Sequence, residues 1–260
     1  MRHGMIKNIF TMPTRKYCRG YLMTDVAICI QARTNNTRLP GKCLADINGM
    51  PMLDRVLIAA EKSASYINNG GDKAIKVECF LLVPDKDPLI EKYSHRFKTK
   101  LITGSEDDVL SRYLVAVKST NADYFVRITS DCPLIPPYLI TKHIVNAVNY
   151  NYDYVSNVHP EVRMAPDGWD CEVISKRLML WAGENAEKQY DREHVTTILR
   201  SNPPNWAKRA CVMSHGEFST LKISVDTQED LDYVRNYHRV ISQKINKARD
   251  KNICDGFFII

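Results

Sequence analysis

A chain of 260 residues, 44% hydrophobic and 25% charged, can bury a substantial core and has the composition of an ordinary soluble domain. No run approaches the roughly 18 consecutive apolar residues that a membrane-spanning helix needs, so a membrane partner is not expected. Of the net charge of +6, five units come from Arg2, Lys7, Arg15, Lys16 and Arg19 in an acid-free opening segment, so the remainder is nearly neutral and nucleic-acid binding loses its electrostatic basis.

Residues 1–24 read as a basic N-terminal extension, expected to be poorly ordered, ahead of a single domain over 25–260. The extension lacks the apolar stretch of a signal peptide. A start at Met23 and a targeting or partner-binding tail are both open readings of it. The first strand is expected over Val26 to Ala32, followed by a polar loop from Arg33 to Lys42. A helix from Met52 to Ala64 places Leu53, Val56, Leu57 and Ala60 on one face, and a turn at Asn68 to Gly71 leads to a strand over Val77 to Val83. Asp87 to Phe97 reads as helical and Leu101 to Thr103 as a short strand. Ser105 is placed to cap a helix running to Lys118, with Asp107 and Asp108 at its positive end.

Tyr124 to Thr129 is a buried strand, and Pro136 and Pro137 open a helix reaching Val148. Residues 149–205 break the alternation, with short strands at Tyr154 to Ser156 and Glu172 to Ile174 and two helices between Ser175 and Leu199. This excursion is expected to cover an acceptor or to make a dimer contact. Leu221 to Val225 returns to strand character, and a last helix begins near Thr227. The expected fold is α/β, with a Rossmann-like, mainly parallel (mixed) sheet flanked by helices and an α+β excursion. Eight scattered cysteines without metal-site spacing read as reduced thiols of a cytoplasmic protein.

Ligands of open α/β sheets bind beyond the carboxyl ends of strands. Three polar clusters fall there: Arg33 to Lys42, Thr129 to Pro133, and Asp226. Arg33, Arg38 and Lys42 form a cationic loop suited to a triphosphate, and equally an ordinary solvated loop. The loop is neither GxxxxGK[ST] nor GxGxxG, so P-loop hydrolysis and dinucleotide binding lose support. Asp85-Lys86-Asp87 has the DxD spacing, but before Pro88 it reads as a turn and helix cap, which counts against a glycosyltransferase.

Gln31 to Lys42, continuing through Leu44, Ile47, Gly49 and Pro51, resembles the nucleotide-binding opening of the CMP-sugar-acid synthetases, with closer likeness to the spore coat polysaccharide SpsF branch. Gly104 to Leu110, Val126 to Ile135, Asp167 to Val173 and Arg192 to Thr196 extend the resemblance in order. It implies a nucleotide-diphospho-sugar transferase type of fold, and transfer of CMP from CTP to a small acidic sugar-like acceptor with pyrophosphate release, commonly by a homodimer.

By that resemblance Asp131 and Asp226 bind the metal, Mg2+, and Arg33 and Lys42 hold the phosphates and complete the catalytic set. Two carboxylates with phosphate oxygens are chemically sufficient for magnesium. Gln31, Ala32, Arg38, Gly104, Ser105, Asp108 and Ser130 fall to nucleotide binding, although helix capping explains Ser105 and Asp108 equally. Arg127, Asp167, Gly168, Glu172, Arg192 and His194 fall to the acceptor. Arg127 has a structural ion pair as its other reading, and His194 either a base or a structural role. Gln31 stands where sugar-acid enzymes usually have proline, which leaves open a sugar phosphate or phosphonate acceptor. A non-catalytic nucleotide-binding homologue is the remaining alternative.

Overall fold

Alternation along the central strands decides what each side chain meets. In the computed structural model, which describes residues 17–18, 21–71, 74–158, 165–212 and 220–250, β1 (Tyr17–Cys18) and β2 (Tyr21–Leu22) pair briefly, and β3 (Thr24–Gln31) follows. Most of the 1–24 extension lies outside the described residues. Val26, Ile28 and Ile30 of β3 face one core and Ala27 and Cys29 the other. The same division runs through β4 (Ile75–Pro84) and β6 (Tyr124–Thr129), where Phe125 joins the second core and Val126 and Ile128 the first.

With β5 (Lys100–Gly104), β7 (Tyr154–Ser156), β8 (Glu172–Ser175) and β9 (Arg209–Cys211), these strands form a seven-stranded sheet in the order β5-β4-β3-β6-β8-β7-β9. The pairs flanking β8 are antiparallel and the others parallel, giving the mixed sheet of an α/β fold. Helices α1 (Met52–Tyr66), α2 (Leu89–Tyr93) and α4 (Pro137–Asn149) cover one face. The other is covered by α3 (Val109–Ser119), α5 (Lys176–Asn185) and α7 (Thr197–Ser201), with the short α6 (Gln189–His194) leaning on α3. Each fully buried Leu, Ile or Val among them contributes about 1.5–3 kcal/mol.

A third, smaller core of Ile47, Met52, Leu134, Ile223, Val225, Leu231 and Val234 docks the start of α8 (Gln228–Asp250) beside the carboxyl edge of the sheet. Among the described residues no helix is long and apolar enough to cross a membrane.

Several expectations shift. The segment 221–225 is a single bridge, Asp167 to Lys222, because its remaining backbone bonds go partly to the Asp131 carbonyl instead of to one ladder. The helix expected over Asp87 to Phe97 contracts to α2, with Asp87 ahead of its start and its carboxylate on the Leu89 and Thr34 N–H groups. Asp108, not Ser105, caps α3. The excursion holds three helices after Ser175 where two were expected. Its break between α6 and α7 is Val195, a buried β-branched residue at φ 61° and ψ −55°, with the Thr196 N–H bonded to the His194 carbonyl at 2.6 Å. That is a γ-turn of the strained hand, costing on the order of 1–3 kcal/mol.

Candidate active site

β6 ends at Thr129, and the chain turns there into Ser130 and Asp131. The Val225 N–H donates to the Asp131 carbonyl at 3.0 Å, which lays Asp226 alongside Asp131 although 95 positions separate them in the sequence. Thr227 and Asp230 make a reciprocal cap at the start of α8, and Asp230 also accepts the Asp226 N–H at 3.0 Å. The backbone at both aspartates is thereby held in place by the Val225 bond and the cap of α8.

Lys42 follows Gly41, whose left-handed φ of 67° turns the loop inward. Its buried Nζ donates to Asp131 Oδ2 at 3.1 Å, to Asp226 Oδ1 at 3.0 Å and to the Val225 carbonyl at 2.9 Å. Exposed Arg38 adds a second donor to Asp226 Oδ1 at 3.0 Å. Burial alone would push the Lys42 ammonium down, but Asp131 and Asp226 outweigh it and hold its pKa above the ordinary value. Burial likewise opposes ionisation of Asp131, and Lys42 and the Thr129 hydroxyl reverse that and keep the carboxyl low.

Two carboxylate oxygens and a carbonyl thus surround one positive nitrogen. The same hard-oxygen set suits a divalent cation. Among the described residues no three His, Cys, Asp or Glu side chains form a metal cage, so a metal here would draw its other ligands from phosphate and water.

The loop above this centre is clamped from beneath. Tyr113 donates to Gln31 Oε1 at 3.1 Å, and buried Asp87 accepts from the Thr34 N–H at 2.9 Å and its hydroxyl at 3.1 Å. The Cys43 thiol donates to the Arg33 carbonyl at 3.4 Å, and the Ser130 N–H to the Gln31 carbonyl at 3.1 Å. Ala32 is buried at the strand end. Asp85-Lys86-Asp87 is a turn with Lys86 at φ 66°, as its spacing suggested.

Gly104 ends β5, and Ser105 Oγ accepts the Asp108 N–H at 3.0 Å while Asp108 caps α3 through the Ser111 N–H. Helix α6 is tied across both loops. Arg192 binds Asp108 at 2.6–2.7 Å, Gln189 donates to the Asp107 carbonyl at 3.0 Å, and Arg33 pairs with Glu193 at 3.5 Å. Asn35 joins the two loops directly through Glu106 at 2.8 Å. His194 lies at the end of α6, not at a helix start. It is exposed, and its ring centroid is 4.3 Å from that of Tyr190. Partial burial, then the charges of Arg127, Arg200 and Arg33, lower its pKa against the pull of Glu193.

Arg127 and Glu172 are given to each other, which is the structural reading of Arg127. They are register partners on β6 and β8, bonded at 2.7 Å, and Glu172 also accepts from Tyr154 and from Thr196 at 3.0 Å. Glu172 is 1% exposed, its carboxylate enclosed by these three donors. Asp167 and Gly168 meet the 221–226 segment, with the Asp167 N–H on the Leu221 carbonyl at 2.8 Å and the Ile223 N–H on the Asp167 carbonyl at 2.6 Å. Sequence reasoning missed Asp87, Arg112 and Asp230. For Arg112 a signal existed: it falls among Val109, Tyr113 and Ala116 on the apolar face of α3.

The cytidylyltransferase family profile matches residues 27–252. The chain is 24% identical to the spore coat polysaccharide biosynthesis protein SpsF of Bacillus subtilis, over 85% of this chain and 90% of the relative. In structure it is similar to a cytidylyltransferase from Leptospira borgpetersenii (TM-score 0.71, 24% identity, 91% and 99% coverage). It is also similar to CMP:2-keto-3-deoxy-manno-octonic acid synthetase complexed with CTP (TM-score 0.62, 18% identity, 85% and 100% coverage). With a profile spanning nearly its whole length, the chain belongs to the cytidylyltransferase family and is a nucleotidyltransferase.

Proposed function

We propose that this enzyme transfers CMP from CTP to a small acidic, sugar-like acceptor, of the 3-deoxy sugar acid kind, and releases pyrophosphate. The observation that carries the reading is the meeting of Asp131 and Asp226 on one cationic centre beside the Arg33 to Lys42 loop. The relative solved with CTP, itself a sugar-acid synthetase, supports the nucleotide and the acceptor class.

In this reading the acceptor oxygen attacks the α-phosphorus in line, the bond to the β-phosphate bridging oxygen breaks, and the acceptor's proton is lost to a base or to water. Asp131 and Asp226 would hold magnesium, which when bound neutralises triphosphate charge. Lys42 and Arg33 bring positive charge to the phosphates, and the clamped Gln31 to Thr34 backbone gives the nucleotide a prearranged cradle. Ser105 and Asp108 shape the base side, and Arg192 keeps α6 closed over it. His194, its pKa lowered, is neutral at pH 7 and suited to take the proton of a hydroxyl acceptor. A cytoplasmic homodimer pairing through the excursion belongs to the same reading. Cys29, Cys43, Cys79, Cys132, Cys171 and Cys211 are free thiols, in keeping with a reducing compartment.

Pyrophosphate release measured over four nucleoside triphosphates against sugar acids, sugar phosphates and phosphonates tests the proposal. Turnover is expected with CTP and a sugar acid. Asp131→Asn is expected to lose at least a hundredfold in kcat while CTP binding largely persists. Full activity in that variant would refute the metal assignment.

A further inference from the structure

Arg112 is a charged side chain buried beneath the site, 2% exposed on the inner face of α3. Its Nη1 donates to the Leu82 carbonyl at 3.1 Å and to the Ala32 carbonyl at 3.4 Å, and its Nε is buried without a partner. Its stem runs beneath Gly104, where a Cβ would come within 3.0 Å of the Arg112 Cγ. The side chain therefore lies under both stretches given to the nucleotide, its guanidinium at the loop opening at Ala32 and its stem at the turn opening at Gly104.

Among the described residues no carboxylate forms an ion pair with it. The acids that act on it electrostatically are Asp87, already bonded to Thr34 and Leu89, and Glu106, bonded to Asn35. Arg33 adds a like charge, and Tyr113 opposes it. A guanidinium stays protonated under such conditions, and burying it unpaired is costly unless an anion compensates it. Two weakly held carbonyls are poor compensation. An apolar side chain of the same length would pack against the same neighbours without that cost.

We propose that Arg112 is a positioning residue for the nucleotide, a fixed buried cation that holds the Gln31 to Thr34 backbone and is compensated only when a triphosphate lies on that loop. The inference rests on the proposed nucleotide site and deepens it. Arg112 does not touch the nucleotide. It acts through the Ala32 carbonyl and through its field, which low local polarity leaves little screened.

The test uses full-length Arg112→Met and Arg112→Lys, with thermal unfolding in the absence of nucleotide and calorimetric titration of the four nucleoside triphosphates with magnesium. Arg112→Met is expected to melt at or above the wild-type temperature and to bind CTP about tenfold more weakly, with KM raised and kcat little changed. Arg112→Lys, which keeps the charge, is expected to bind within about threefold of wild type. A Met variant that melts lower yet binds CTP normally would make Arg112 merely structural and overturn the proposal. So would a folded Lys variant that binds as weakly as Met, and this arm decides the matter if the Met variant does not fold. A wild type that prefers another triphosphate contradicts cytidylyl transfer while the Arg112 contrast is read on that nucleotide. A wild type that binds none overturns both.

Discussion

At Gly168 the demands of backbone and site coincide. Its φ of +112° is open to glycine, and an added Cβ would stand 2.6 Å from the Ile223 carbonyl carbon and the Ser224 nitrogen. Those atoms belong to the segment that ends at Asp226, so Gly168→Ala is expected to cost about 2 kcal/mol or more and to cut turnover together with stability. Thermal unfolding and pyrophosphate release measure the two effects, and a variant with native stability would contradict the close approach. Asp131, Lys42 and Asp226 were legible in the sequence because each follows a strand pattern or sits in an ordered motif. Asp87 was not, because its work lies 53 positions away at Thr34, and nothing in the spacing of Asp85-Lys86-Asp87 points there. The ion pair left open for Arg127 had no named partner for a related reason: only the β6–β8 register shows that Arg127 and Glu172 face one another.

Among the elements, α4 carries a titratable group in its buried stripe. His143 is fully buried; its Nδ1 is 2.7 Å from the Leu139 carbonyl, which requires the proton on that nitrogen, and its Nε2 has no partner. Burial pushes its pKa down to about 4. The unfolded chain takes up a proton near pH 6.5 and the folded chain only near 4, so stability falls as pH drops through that window. The loss is expected to be on the order of 2–3 kcal/mol in the wild type and absent from this source in His143→Leu. Melting curves at intervals between pH 7 and 4 check it, and parallel curves for the two proteins would contradict it. The long helices were readable because their apolar stripes repeat over three turns or more, whereas β9 and the γ-turn at Val195 are too short for periodicity to register. The 221–225 run looked like a strand because apolar Leu221, Ile223 and Val225 alternate with Lys222 and Ser224, yet its hydrogen bonds go to two different segments.

For the whole molecule, the sheet order matters more than any one strand. Parallel pairing of β4, β3 and β6 puts their carboxyl ends on one edge, and the antiparallel β8 brings the 149–205 excursion back beside them. The α/β class and a mixed sheet with an excursion were expected from the sequence, but which strand runs antiparallel was not, because strand direction leaves no mark in a three- or four-residue pattern. The third core then seats α8 so that residues from the two ends of the domain share one centre. A crystal structure of the enzyme with manganese and a non-hydrolysable CTP analogue, read by anomalous scattering, tests that arrangement most directly. The expected result is a manganese peak between the Asp131 and Asp226 carboxylates with the triphosphate on the Arg33 to Lys42 loop. Manganese bound elsewhere, with Lys42 still bridging the two aspartates beneath the bound nucleotide, would contradict it.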